Sequence, residues 1–107
     1  MTTFDDRESA FETKFSRDEE MSFRVTARRN KLVGQWAAEA MKLTPEEADA
    51  YAKSVVQADF EEGGDDDVVR KLIADLGQAG IETDEAIVRQ ALAERMIEAR
   101  RQLMESQ

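Results

Sequence analysis

The sequence predicts an all-α fold, a four-helix bundle with a mobile N-terminal arm, and three observations carry this prediction. Only five glycines and one proline occur among 107 residues, so few residues are available for strands and turns. Apolar residues recur at helical spacing in four segments, which are separated by residues that cap helices. The length suits one domain with one modest core. We therefore expect an arm over residues 1–19 and the bundle over residues 20–107.

The arm carries a helical pattern that is too weak to fold alone. Its three phenylalanines, Phe4, Phe11 and Phe15, lie within about 40° of one another on a helical wheel, and we call them the aromatic face. The pattern ends at Asp18, the next position on that face. Three aromatic side chains do not offset the conformational entropy of ordering about twenty residues. We expect the arm to be disordered or frayed when free and to become helical against a partner.

The first bundle helix is predicted over about 20–43 because apolar residues recur there at helical spacing. Gly34 is expected to be tolerated inside this helix. Glu20 and Arg24 form a favourable pair four residues apart. The positions expected to face the core are Val25, Leu32, Val33, Trp36, Ala37, Ala40, Met41 and Leu43.

The second helix is predicted over about 45–60 because three signals coincide at its start. Thr44 is a natural N-cap, Pro45 suits the first helical position, and Glu47 completes a capping box. The glycine pair at 63–64 is expected to end this segment. The expected core positions are Ala48, Tyr51, Ala52, Val55, Val56 and Phe60.

The third helix is predicted over about 66–78, directly after Asp65-Asp66-Asp67. These aspartates could cap the helix or, together with Glu61-Glu62, hold a divalent cation. Their spacing does not match an EF-hand loop, so we favour capping and expect no metal site. Gly77 and Gly80 are expected to end the helix. Its core positions are predicted to be Val68, Val69, Leu72, Ile73 and Leu76.

The fourth helix is predicted to run from an N-cap at Thr83 to about residue 105. Asp84 and Glu85 in its first turn complement the helix dipole, as do Arg100 and Arg101 near its end. Its expected inner face consists of Ile87, Val88, Ala91, Leu92, Met96, Ala99 and Leu103.

Composition excludes several classes of function. The formal net charge is −9, which disfavours nucleic-acid binding because phosphates are repelled. Without cysteine or histidine the chain has no disulfide, thiolate or imidazole chemistry, so we expect no enzyme activity. Neither a secretory signal nor a membrane-spanning stretch is visible, which predicts a cytoplasmic protein without membrane insertion.

Two features are candidate binding surfaces. The aromatic face suits recognition of another protein as a helix in a groove, unless it folds back onto the bundle. The second feature is Arg28-Arg29-Asn30-Lys31, which we call the basic run. It is either a solvated helix face or a docking surface for an acidic protein patch or a nucleotide phosphate. Spacing alone does not decide between these interpretations of the basic run.

The combined pattern resembles the zeta-type inhibitor subunit of the alphaproteobacterial F-type ATP synthase. The resemblance spans nearly the whole chain and is densest in residues 4–38. It rests on Phe4-Asp5-Asp6-Arg7-Glu8, Phe11-Glu12, Lys14-Phe15, Asp18, Phe23, Ala27-Arg28-Arg29-Asn30-Lys31-Leu32, Gly34, Trp36-Ala37-Ala38, Tyr51-Ala52, Val55-Val56, Asp59-Phe60, Asp67-Val68, Arg70-Lys71-Leu72 and Ala74-Asp75-Leu76.

This resemblance implies an inhibitor of ATP hydrolysis that acts on the catalytic sector of the synthase. Its arm would enter an interface between the alpha and beta subunits, reach the gamma stalk, become helical there and block rotation. The protein would then lie at the inner membrane only through the synthase, and it would need no cofactor. The implied partner contacts are Phe4, Asp5, Asp6, Arg7, Phe11, Glu12 and Phe15, continued by Arg28, Arg29 and Asn30.

A second hypothesis from another class stays open at this point. The chain could be a small acidic bundle that senses adenine nucleotides, binding ATP or ADP weakly, with little inhibitory activity. The sequence contains no phosphate-loop motif that supports this hypothesis independently.

Overall fold

The structure is a computed structural model that describes the backbone of residues 3–62 and 65–105 and the side chains of residues 19–59 and 65–105. Within these ranges the fold is all-α, as predicted, and contains no strand. None of the described helices is long and apolar enough to cross a membrane. The helices are α1 (Thr3–Ala40), α2 (Pro45–Glu62), α3 (Asp65–Gln78) and α4 (Glu85–Glu105).

The first helix differs most from the sequence prediction. The backbone of α1 is helical from Thr3, so it continues through the predicted arm without a break at the acidic residues 18–20. It ends at Ala40 rather than near residue 43. The order of the arm in the free protein stays a prediction.

A Schellman motif ends α1. The Lys42 amide donates to the Glu39 carbonyl at 3.0 Å, and the Leu43 amide donates to the Ala38 carbonyl at 3.1 Å. Lys42 therefore takes a left-handed conformation, with a φ of 60°. This conformation costs a non-glycine residue about 1–2 kcal/mol, but it stops the helix and turns the chain toward α2.

The same motif ends α3, here with glycine at the left-handed position. Gly80 has a φ of 80°, and its amide donates to the Gly77 carbonyl at 3.0 Å. The Ile81 amide donates to the Leu76 carbonyl at 2.9 Å. The prediction that Gly80 ends the helix is confirmed, whereas Gly77 lies inside α3.

The predicted capping box of α2 is present. The Glu47 amide donates to Thr44 Oγ1 at 3.2 Å, and the Thr44 amide donates to Glu47 Oε1 at 2.9 Å. The hydrogen bond that the Thr44 amide donates to the Glu47 carboxylate is the main reason why the pKa of Glu47 is lowered. The predicted cap of α4 is wrong by one residue, because the Ile87 amide donates to Oδ1 of Asp84, at 2.8 Å, and not to Thr83.

All four helices contribute aliphatic side chains to one core. The prediction for α4 is wrong at Ile87, whose side chain is 48% exposed. Val88 is fully buried, and Ile87 lies about 90° from the centre of the buried face. The predicted core position Phe60 lies outside the described side chains. The buried cluster consists of Val33, Ala37, Val55, Val68, Val69, Leu72, Leu76, Val88, Ala91 and Leu92.

The seam between α1 and α2 is built from very small residues. A Cβ atom added to Gly34 would lie 2.8 Å from the Cα of Ala52 and 3.3 Å from Val55 Cγ2. Ala37, Ala38 and Ala52 are also completely buried. Glycine is therefore required at position 34 by the close approach of two backbones. The sequence had suggested only that it is tolerated there.

This contact predicts opposite effects of alanine at two helical glycines. Gly34→Ala should lower the free energy of unfolding by about 1–2 kcal/mol, because overpacking against the α2 backbone exceeds the gain in helix propensity. Gly77→Ala is the matched control, since a Cβ there meets no atom within 4 Å. It should raise the unfolding free energy by about 0.5 kcal/mol. Urea unfolding followed by circular dichroism measures both, and equal values would contradict the close-packed seam.

Candidate partner interface

The arm contributes most of the predicted contact residues. The side chains of Phe4, Asp5, Asp6, Arg7, Phe11, Glu12 and Phe15 lie outside the described residues. Their backbone belongs to α1, which is the helix that enters the bundle at its other end. Their role in partner binding stays a prediction.

The structure separates the residues of the basic run. Arg28 is exposed, and its Nη1 donates to Oε1 of Gln102 on α4 at 3.0 Å. Arg29 is 4% exposed and Asn30 is completely buried. The expectation that Arg28, Arg29 and Asn30 form one continuous surface is therefore corrected, because α1 turns the last two into the bundle.

The Arg29 guanidinium joins α1 to the first turn of α3. Its Nε and Nη2 donate to Oδ1 of Asn30 at 3.1 and 2.9 Å, and Nη2 also donates to Oδ1 of Asp65 at 2.9 Å. A buried guanidinium is strongly destabilising unless it is paired and hydrogen-bonded. Asn30 and Asp65 supply those partners, so Arg29 has a structural role that the sequence interpretation missed.

Arginines also pair with the other two aspartates at the start of α3. Arg89 Nη2 donates to Asp66 Oδ1 at 2.7 Å and pairs with Glu85 at 2.8 Å. The hydrogen bond from Arg89 and its charge lower the pKa of Asp66. Arg70 donates to Asp67. Among the described residues no group of three or more side chains could hold a metal ion.

An apolar groove of about 440 Å³ lies between the middle of α1 and the C-terminal half of α4. Methionine is adaptable in shape and common at binding surfaces. Met104 is 73% exposed beside this groove, which gives the region where α1 enters the bundle a pliable apolar surface. The groove is lined by Met21, Ser22, Val25, Thr26, Met96, Arg100 and Met104.

A polar cluster fixes α2 to α3 on another side of the bundle. The hydroxyl of Tyr51 donates to Asp75 Oδ2 at 2.8 Å, and Lys71 Nζ donates to the same oxygen at 3.0 Å. The Lys71 ammonium lies 5.2 Å from the centre of the Tyr51 ring. Burial, followed by the hydrogen bond and charge of Asp75, strongly raises the pKa of Tyr51.

These features define a class: a small helical bundle in which many charged groups are paired within the fold. Its first helix begins at Thr3, and Val25 is the first buried residue among those whose side chains the structure describes. Such a fold is suited to binding another protein. The chain belongs to the ATPase inhibitor subunit zeta family, whose model matches residues 1–102.

A solved structure is similar over most of the chain. It is a solution NMR structure of a protein with 46% sequence identity and a TM-score of 0.71. The match covers 81% of this chain and 99% of the other. A comparison with curated proteins finds no match.

The role assigned to Arg29 predicts that lysine cannot replace it. Arg29→Lys keeps the charge, but one ammonium does not reproduce the bridge from Asn30 to Asp65. We expect a loss of about 1–3 kcal/mol in the free energy of unfolding, because buried polar atoms lose their partners. Arg28→Lys is the control on the neighbouring, exposed side chain and should change stability by less than about 0.5 kcal/mol. Equal effects in urea unfolding would refute the bridging role.

The raised pKa of Tyr51 predicts a link between its ionisation and unfolding at high pH. In the unfolded chain tyrosine ionises near pH 10. The folded state keeps Tyr51 protonated, so its contribution to stability is complete below about pH 10 and is lost above it. Tyr51 is the only tyrosine, so absorbance at 295 nm reports it alone. Phenolate should appear together with loss of helical circular dichroism; phenolate in a chain that is still helical near pH 10 would contradict the burial.

Proposed function

We propose that the protein inhibits ATP hydrolysis by the F-type ATP synthase by inserting its N-terminal arm into the catalytic sector. Membership of the ATPase inhibitor subunit zeta family carries this proposal. The family match begins at residue 1, so it includes the arm as well as the bundle. The inhibitor then acts by occupying space, and it needs no catalytic group of its own.

The arm would bind as a helix at an interface between an alpha and a beta subunit and reach the gamma stalk. The aromatic face is suited to this role because aromatic side chains commonly anchor protein interfaces. Asp5, Asp6, Arg7 and Glu12 would supply the polar contacts around it. The helical backbone of α1 from Thr3 supports the idea that the sequence accommodates this conformation.

The bundle would anchor the arm while the rotating synthase exerts force on it. The buried Arg29 bridge and the α1–α2 seam fix the C-terminal half of α1 within the core. Arg28 and Lys31 remain exposed and are the residues of the basic run that are available to a partner at the surface. The protein would therefore stay at the inner membrane only while it is bound to the synthase.

The test compares three-residue substitutions on opposite faces of the arm. Replacing Phe4, Phe11 and Phe15 with alanine should weaken inhibition of ATP hydrolysis by the soluble catalytic sector at least tenfold, because each anchor contributes more than about 1 kcal/mol. The matched control replaces Ser9, Thr13 and Ser16 with alanine, since these residues lie on the opposite side of the helical wheel.

The control should inhibit nearly as strongly as the unmodified chain, with saturation near one inhibitor per complex. Removing residues 1–18 should abolish inhibition and leave the bundle folded by circular dichroism. Inhibition that survives this truncation would refute the arm mechanism. If the intact chain binds the catalytic sector saturably but does not inhibit ATP hydrolysis, the ATP synthase is supported as the partner and the inhibitory function is contradicted.

The second hypothesis, an adenine-nucleotide sensor, stays a prediction with less support. The two arginines beside the first turn of α3, Arg29 and Arg89, are already paired with Asp65 and Asp66. Those carboxylates would also repel the phosphate. We therefore favour inhibition through a protein contact.

A further inference from the structure

The two most exposed large apolar side chains among the described residues lie on one face of α4. Ile97 is 69% exposed and Met104 is 73% exposed. They are seven residues apart, which places them within about 20° of each other on a helical wheel. Exposed Ala93 and half-buried Met96 lie on the same side of the helix. We call these four residues the apolar stripe of α4.

The apolar stripe is continuous with the groove between α1 and α4. Met96 and Met104 belong both to the stripe and to the lining of the groove. Met21 and Val25 of α1 form the other wall. Contiguous apolar surface that stays exposed usually marks a site where another molecule binds. A groove between two helices suits a third helix that lays its apolar face into it.

One cation lies within this surface without an anionic partner. Arg100 is exposed, and it is the only charged side chain among the described residues that line the groove. It forms no ion pair with any described residue, although many of the other arginines do. The ion-paired arginines are Arg24, Arg29, Arg70, Arg89, Arg95 and Arg101. An unpaired guanidinium beside an apolar groove is suited to a partner that supplies a carboxylate.

The acidic residues in this half of α4 lie on the opposite side of the helix. Glu94, Glu98 and Glu105 are about 160–180° from Met96 on a helical wheel. The surface around Arg100 is therefore apolar and positive, in a chain whose net charge is −9. A carboxylate of a partner would be attracted to Arg100 there, away from the acids of α4.

We propose that the groove and the apolar stripe bind a helix of the ATP synthase catalytic sector that presents an apolar face and a carboxylate side chain. The apolar face would cover Met96, Ile97 and Met104, and the carboxylate would pair with Arg100. This inference rests on the proposed function, because it adds a contact of the bundle to the contact of the arm. The groove begins at Met21, directly after the arm, so a partner that encloses the arm lies beside it.

Two other occupants fit this surface less well. The arm of the same chain leads away from the groove, because α1 is one helix from Thr3 to Ala40 with no turn that would bring the arm back. A second copy would place the same surface on both sides of a two-fold interface. That surface contains the cation Arg100 and no carboxylate, and two chains of net charge −9 repel each other.

The test places an acid in the stripe and uses the other exposed isoleucine of α4 as a matched control. Ile97→Asp puts a charge in the centre of the proposed contact. Ile87→Asp makes the same change at a residue that is 48% exposed and does not line the groove. Arg100→Glu reverses the charge that would meet the carboxylate, and Arg101→Glu is its control with the same change in net charge.

All four side chains are exposed, so the variants should fold, and urea unfolding verifies this. Full-length chains are titrated into the soluble catalytic sector, and Kd is measured together with the ATP hydrolysis that remains at saturation. We expect Ile97→Asp and Arg100→Glu each to raise Kd about tenfold, because each removes a contact at the centre of the interface. Both controls should stay within about threefold of the unmodified chain. Inhibition at saturation should remain complete, since the arm is unchanged.

Three results would overturn the docking surface while the unmodified chain still binds and inhibits. The first is an unchanged Kd for both Ile97→Asp and Arg100→Glu. The second is an equal increase in Kd for these variants and their controls. The third is a dimer of the unmodified chain that Ile97→Asp converts to a monomer in analytical ultracentrifugation, because a second copy would then occupy the groove. Failure of the unmodified chain to bind would overturn the proposed function and the docking surface together.

Discussion

The backbone contact between α1 and α2 at Gly34 is the constraint on which the rest of the structure depends. No side chain fits between Gly34 and Ala52, so the relative position of these two helices is determined by the contact of their main chains. Close contacts between small residues leave little room for alternative packings. Once α1 is held in this way, Val33 and Ala37 meet the core, and Arg29 reaches the first turn of α3.

The same constraint explains why the basic run is not one surface. One turn before Gly34, α1 still lies against its neighbours, and the helical period turns Arg29 and Asn30 inward while Arg28 remains outside. The buried guanidinium then requires an acceptor, and two come from different helices. Asn30 Oδ1 accepts from Arg29, so the buried Asn30 Nδ2, which has no hydrogen-bond partner among the described residues, is a consequence of how the bundle is held together.

Much of the fold could be predicted from local patterns, because helix period and capping chemistry act over a few residues. The capping box of Thr44 and Glu47 and the stop at Gly80 were recognisable for this reason. The Arg29 pairing was not, since Asp65 is distant in sequence and a charged residue in a helix is usually exposed. The role of Gly34 was also missed, because a glycine in a sequence does not reveal which backbone packs against it in the fold. The aromatic face lies outside the described side chains, so that part of the site still rests on the sequence alone.

The continuity of α1 has a mechanical consequence. One helix runs from Thr3 to Ala40, so a force on its N-terminal end along the helix axis is transmitted into the bundle without an intervening hinge. Such a load acts on the Gly34 seam and the Arg29 bridge in shear, where many contacts resist together instead of opening one after another. If a rotating subunit loads the arm along this axis, as the proposed function requires, the direction of loading matters as well as the energy of the contacts.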